Sequence, residues 1–186
     1  MKVIDFEPVF RRLNEELSKM DTSLELVCAG GYVLQLHGYR ATVDIDAFYA
    51  SNAEVEAVIR KVGDEFGINR PDELWLNGSV SNMNPRPPIA YYKLVHRFSN
   101  LEINAVDLTY LIGMKLTSGR EQDLIDVGTI LKQDNNQEPF NLLSELIGMD
   151  FQIDISGLLG GYEKAHGMQW LEDFYRDNES ELRKHF

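Results

Sequence analysis

The chain has little of what secreted, membrane-embedded or nucleic-acid-coating proteins require. One cysteine, Cys28, in 186 residues excludes a disulfide framework. Lying inside an apolar run, it reads as a buried, reduced core residue. No apolar run approaches the ~20 residues of a membrane-spanning helix, so no membrane partner is expected. The opening residues, MKVIDFEPVFRRL, carry acids and lack the apolar core of a secretory signal; the cytoplasm is the expected compartment. Positive charge is scarce, with 18 Lys and Arg against 30 Asp and Glu for a net charge of −12. A protein that tracks a nucleic-acid backbone over many phosphates carries a basic stripe. This composition favours a small nucleotide with a divalent cation, or a macromolecule touched only locally.

Proline is sparse as well. Four of the six, Pro71, Pro85, Pro87 and Pro88, crowd into residues 67–90, which marks an irregular insertion. Within it, Asp72–Asn77 (DELWLN) is expected to form one helical turn that pins Trp75 against the body. Internal repeats and low-complexity segments are lacking too.

What is present is enough for a globular core: 44% hydrophobic and 10% aromatic residues. Helical spacing of Phe6, Val9, Phe10, Leu13, Leu17 and Met20 predicts a helix over 4–20. A β-branched run, Leu24 to Ala29, predicts a strand, and Gly30-Gly31 breaks it. Helical spacing resumes from Tyr32 to His37. Val43 to Phe48 alternates as a second strand, and Ser51-Asn52 caps a helix over 53–66. Two strands, 91–98 and 101–106, flank the turn Ser99-Asn100. Helices follow at 108–118, 120–132, 139–148, from Asp154 or Ser156 to about 166, and at 168–184. The expected fold class is α+β, a small mixed sheet flanked by helices with a helical C-terminal part. The expected division is an α/β core over 1–118 and a helical region over 119–186.

The stretch that carries chemistry is Val27 to Ala50. On the second strand Asp44 and Asp46 sit two apart and so share a face. Like charges side by side in a half-buried strand need compensation. A divalent metal supplies it: Mg²⁺ takes oxygen ligands and is commonly held by one or two carboxylates plus substrate phosphates. The glycine pair at a strand-to-helix turn suits close approach of a phosphate to backbone.

Gly30-Gly31, a gap of twelve residues and then Asp44-Ile45-Asp46 resemble the signature of the nucleotidyltransferase superfamily that includes DNA polymerase β and the CCA-adding enzymes. The longer string through His37-Gly38, Arg40 and Thr42 is similar to the toxin-type, abortive-infection branch of that superfamily and its uncharacterised relatives. The resemblance implies a nucleotidyltransferase-like fold, two Mg²⁺ ions bound by the paired acids, and a nucleoside triphosphate (NTP) as substrate. It also implies a third carboxylate from a later strand. Glu102, in Leu101-Glu102-Ile103, matches that form, with Asp107 as the competitor at the strand end. Catalytic and metal-binding roles thus fall to Asp44, Asp46 and Glu102.

Nucleotide binding falls to Gly30, Gly31, Arg40, Thr42 and Lys115. Arg40 would pair with the carboxylates or bind triphosphate through its fork. Thr42 would support the acids by a hydrogen bond. Lys115, followed by Arg120, Asp123 and Asp126, resembles a Lys and Arg-x-x-Asp-x-x-Asp helix of the toxin-type branch. His37 reads as packing or capping. Arg86, Lys93, His96 and Arg97, with Tyr91 and Tyr92, form a local basic cluster that either offsets acidic surface or meets RNA. The implied activity is transfer of a nucleoside monophosphate (NMP) to an acceptor hydroxyl on RNA or protein, with an antitoxin as a candidate partner. The rivals are a nucleotide-binding protein of the same fold with little or no turnover, and a plain interaction module.

Overall fold

Phe6, Val9, Phe10, Leu13 and Leu17 line one side of α1 (Glu7–Lys19), and all five are buried. The spacing that predicts this helix also dictates its use, because an apolar stripe must face a partner surface. That surface is one face of a five-stranded sheet, seen in a computed structural model that describes residues 3–133 and 138–185. The chain forms two units, Met1–Asp107 and Leu108–Phe186.

The first unit runs α1, β1 (Leu24–Cys28), α2 (Gly30–Leu36), β2 (Ile45–Phe48), α3 (Ala53–Phe66), β3 (Leu76–Asn77), β4 (Tyr92–Arg97) and β5 (Leu101–Val106). The strands lie in the order β3-β2-β1-β5-β4. β1 pairs antiparallel with β2 and parallel with β5, so the sheet is mixed. Its two faces differ sharply. Leu24, Leu26, Cys28, Ile45, Ala47, Leu76, Leu101 and Ile103 point to the side covered by α1 and α3 and join Phe10, Ile59 and Trp75 in the core. The alternate positions, Glu25, Asp46, Glu102 and Asn104 among them, point the other way.

Residues 67–77 depart from the expected helical turn. Arg70 and Glu73 close a short turn through backbone hydrogen bonds, and Leu76–Asn77 adds to the sheet edge as a strand parallel to β2. The cause is Trp75. Its ring is buried, its indole N–H donates to the Ile59 carbonyl at 2.9 Å, and its own carbonyl accepts from Ile45 N–H at 2.7 Å. A helical turn would forgo that edge pairing. Since β3 and β4 occupy opposite edges, the proline-rich connection between them must cross the whole sheet. Ser79 contacts Asp46 and Arg86 pairs with Glu25 at 2.6 Å, so the crossing runs over the face that carries the acids.

The second unit contains α4 (Leu108–Ser118), α5 (Glu121–Gln133), α6 (Pro139–Gly148), α7 (Ile155–His166), α8 (Met168–Asp177) and α9 (Glu179–Leu182). Here α4 packs on α5 and α6. Asp154 caps α7 by accepting from Gly157 N–H at 2.7 Å. The helix expected over 168–184 breaks at Asn178, whose side chain donates to the Phe174 carbonyl at 2.9 Å. Trp170 is half-buried, stacked between Tyr162 and Phe174. Among the described residues no helix is long and apolar enough to cross a membrane.

A charged cluster ties α1 to α3. Glu16, nearly buried, accepts from Lys19 at 2.6 Å and Lys61 at 2.8 Å and pairs with Arg12 at 2.6 Å. Lys19 first, then Lys61 and Arg12, bring its carboxyl from the ordinary 4.5 down to about 2. A depressed carboxyl stabilises the fold above its unfolded pKa and ceases to do so as pH falls through the folded value. Glu16→Gln should therefore lower the melting temperature at pH 7, and the gap from wild type should close as pH falls from 4.5 towards 2. Thermal denaturation across that range checks it; a gap that stays constant would contradict it.

Candidate functional site

The register of β1 with β2 aligns Cys28 with Ala47, and one step on, Ala29 N–H donates to the Asp46 carbonyl at 2.9 Å. That step sets Asp46 beside the glycine turn. Gly30 has φ +59, the left-handed region that glycine adopts without a Cβ penalty. A Cβ there would lie 2.7 Å from Asp46 Oδ2, and one on Gly31 would lie 2.6 Å from Thr42 Oγ1 and 3.4 Å from Arg40 Nη1. The glycines therefore serve first as space for the acidic segment and its supports. Helix α2, at seven residues, is too short to add much dipole field.

Asp44 sits in a bend just ahead of β2. The buried Thr42 hydroxyl lies 3.0 Å from Asp44 Oδ1 and donates to it, with the Asp44 carbonyl close by at 3.1 Å. Thr42 is itself fixed: its N–H donates to Gln35 Oε1 at 2.8 Å, and Gln35 Nε2 donates to the Ile4 carbonyl at 2.8 Å. Arg40 lies at the same turn, its Nη1 3.4 Å from the Ala41 carbonyl. Gly30, Gly31, Arg40, Thr42, Asp44 and Asp46 are thus brought together.

Four further residues join them from the chain after α3. Asn77 is the register partner of Asp46 on β3. The Ser79 hydroxyl sits 3.2 Å from Asp46 Oδ1 and 2.6 Å from Asn77 Oδ1, which also accepts from Ser79 N–H at 3.1 Å. Arg70 Nη1 lies 3.7 Å from Asp44 Oδ2 and 3.1 Å from Glu73 Oε2. Asn77-Gly78-Ser79 is a turn signal visible in the sequence. Nothing in the sequence ties Arg70 or Glu73 to Asp44, because only the edge strand brings them there.

Burial pushes the Asp46 carboxyl above its ordinary value, and the neighbouring Asp44 charge adds to the shift. Ser79 and Asn77 oppose it, and Glu73 reinforces it. The Asn77 amide lies beside Asp46, yet Nδ2 is buried with no acceptor in hydrogen-bond geometry. A buried donor without an acceptor costs about 1–3 kcal/mol.

Glu102 stands apart from this group. It shares the face of Asp46, but the β1–β5 register aligns it with Glu25. The row of Asp46 and Ala29 continues to Val106, four residues and about 13 Å further along the strand. Glu102 is instead paired with Arg97 at 2.8 Å. Asp107 pairs with Lys93 at 3.2 Å, and its N–H donates to the Tyr91 carbonyl. Among the described residues no three or more His, Cys, Asp or Glu are grouped to hold a metal. The paired acids therefore stand without the expected third carboxylate from β5.

In the second unit Lys115 is buried, its ammonium donating to Asp123 Oδ1 at 2.7 Å and Asp126 Oδ2 at 2.6 Å. Ser118 also donates to Asp123, and Arg120 Nε does so at 2.7 Å. Burial raises the Asp123 carboxyl, but Lys115, Ser118 and Arg120 together hold it below its ordinary value. The basic cluster is answered locally by Glu25, Asp107 and Glu102, while His96 packs between Phe10 and Phe98. The Cys28 thiol is fully buried and pushed up by that burial. His37 caps the end of α2 and stacks on Tyr39.

The residues present suit Mg²⁺ with a polyphosphate. The Asp46 carboxylate lies against Gly30 with the Asp44 charge nearby, and an amide donor beside Asp46 lacks an acceptor. Mg²⁺ accepts so small a protein ligand set, because phosphate oxygens and water complete its shell.

A family model described as "nucleotidyltransferase of unknown function" (DUF6036) matches residues 5–151. No curated protein and no solved structure matches the chain.

Two substitutions probe these packing relations. Gly31→Ala puts a methyl group against Thr42 and should cost about 1–3 kcal/mol; an unchanged melting temperature would rule out the close approach. Lys115→Ala takes the shared ammonium from two buried carboxylates, with Arg120 left on Asp123 alone, and should cost about 3–5 kcal/mol, read by urea denaturation.

Proposed function

The chain belongs to this nucleotidyltransferase family, and on that footing we propose that the Asp44–Asp46 cleft transfers an NMP group from a Mg²⁺-bound NTP to an acceptor hydroxyl. The observation that carries the reading is the contact of Asp46 and Thr42 with Gly30 and Gly31. It packs Asp46, and the threonine that supports Asp44, against the glycine turn beside the Asn77 donor. Asp44 and Asp46 are the residues that would hold the cation. Thr42 and Ser79 fix one oxygen of each carboxylate, so the remaining oxygens are left to ligate. Asn77 Nδ2 offers a hydrogen bond to an anionic oxygen, and the Arg40 fork suits the triphosphate. Mg²⁺, when bound, neutralises charge on the leaving pyrophosphate and favours ionisation of the acceptor hydroxyl. In the transfer the acceptor oxygen bonds to the α-phosphorus, the bond from that phosphorus to pyrophosphate breaks, and the hydroxyl proton leaves to solvent.

The acceptor class stays as the resemblance implies, a hydroxyl of RNA or of a protein, in a toxin whose partner would be an antitoxin. One observation favours a second reading, a nucleotide-binding protein of the same fold with little turnover: β5 offers Val106, not an acid, in the row of Asp46.

Incubation with each labelled NTP, Mg²⁺ and total RNA or cell protein separates the two. Label should move to one acceptor class, and Asp44→Asn should reduce the transfer by at least ~10³-fold, as expected when a group that stabilises transition-state charge is removed. Transfer that survives Asp44→Asn would exclude this cleft. Nucleotide binding with no transfer in the wild type would favour the second reading.

A further inference from the structure

Arg70 is absent from the sequence signature of the cleft, yet it lies beside Asp44. Its Nη1 is 3.7 Å from Asp44 Oδ2, beyond hydrogen-bond length, and 3.1 Å from Glu73 Oε2. The side chain is half exposed, at 51%, so the guanidinium is tethered to the acids without being locked on them.

The backbone beneath it is held far more firmly. Arg70 N–H donates to the Glu73 carbonyl at 2.9 Å and Glu73 N–H returns to Arg70 at 3.4 Å. Asn69 anchors the turn to α3, donating to the Arg60 carbonyl at 2.8 Å and Asp64 Oδ1 at 2.7 Å. Its Oδ1 accepts from Trp75 N–H at 3.2 Å, and Trp75 is a buried part of the core. A fixed turn thus presents a long, loosely held cation at the mouth of an acidic cleft. That combination suits an exchange of partners more than a static brace.

We propose that Arg70 is a polyphosphate-binding residue of this cleft, resting on Asp44 until a metal-bound polyphosphate takes it over. The inference rests on the function proposed above. Asp44 cannot serve the guanidinium and a divalent cation equally, since both draw on the same oxygen. A metal at Asp44 removes one of the two carboxylate contacts that retain Arg70, leaving the exposed Glu73 at 3.1 Å, and phosphate oxygens arriving with the metal offer a bidentate alternative. A planar guanidinium meets two phosphate oxygens at once, which an ammonium does not.

The exchange has a signature that a structural role lacks: effects of opposite sign. Without nucleotide Arg70 competes with the metal, so Arg70→Gln should tighten Mn²⁺ binding about two- to fivefold, the range for losing a partly exposed charge contact. With polyphosphate it is a ligand, so the same variant should weaken Mg²⁺–tripolyphosphate binding by about tenfold or more, as for loss of charged hydrogen bonds. Arg70→Lys keeps the charge but not the fork. It should leave Mn²⁺ affinity near wild type while weakening tripolyphosphate by a smaller factor.

Calorimetric titration of the full chain with Mn²⁺ alone, and with tripolyphosphate in Mg²⁺, reads all of these without turnover. Opposite-signed shifts in Arg70→Gln support the proposal. Shifts of one sign in both titrations, or none in either, overturn it while leaving the nucleotidyltransferase reading intact. A wild type that binds neither probe overturns both.

Discussion

Two carboxylates two residues apart, one of them pressed against Gly30, set the terms for the rest of the first unit. Such a pair repels itself and resists burial, and its neighbours other than Glu73 answer one of those two costs. Thr42 and Ser79 donate to the acids, and Arg70 lends a positive charge to Asp44. Gln35 fixes Thr42 and is itself held by the Ile4 carbonyl. The raised Asp46 carboxyl is what remains uncompensated.

Sheet topology decides which residues supply this support. With β3 and β4 at opposite edges, the chain between them is obliged to cross the sheet, and it crosses on the acidic face. Proline at Pro85, Pro87 and Pro88 suits an extended crossing, because its fixed φ stiffens the segment and its missing N–H is not needed outside a ladder. The segment that looks like an irregular insertion therefore delivers Ser79 to Asp46 and Arg86 to Glu25. Register has the opposite effect on β5. Its parallel pairing with β1 aligns Glu102 with Glu25 and leaves Val106 in the row of Asp46. A shared face does not suffice where the row is wrong.

The second unit answers a comparable charge problem differently. Lys115 is buried with two carboxylates, and Arg120, Ser118 and Gln122 complete the network. Opposite charges are matched there, so the cluster holds α4 to α5 without an added ion. In the first unit like charges meet. That difference separates an internally satisfied ionic network from a cleft suited to an incoming cation.

Local chemistry was legible in the sequence because its causes are local. Apolar spacing marked α1 and α3, Ser51-Asn52 and the Asp154–Ser156 stretch marked helix starts that the structure places at Asn52 and Asp154, and the glycine pair with Asp44 and Asp46 lay within one short stretch. The β4–β5 hairpin was equally plain from its turn and alternation. Residues 67–79 were not, because Leu76–Asn77 becomes a strand only through pairing with β2 and the burial of Trp75. That pairing is what brings Asn77, Ser79, Glu73 and Arg70 to the acids. Sequence alone determined most of the helices, the strands outside residues 67–79 and the acid pair, through periods and turns that act over a few residues. Tertiary structure decided which distant residues serve that pair and which, like Glu102, do not, since strand order and register are set by pairing across the sheet.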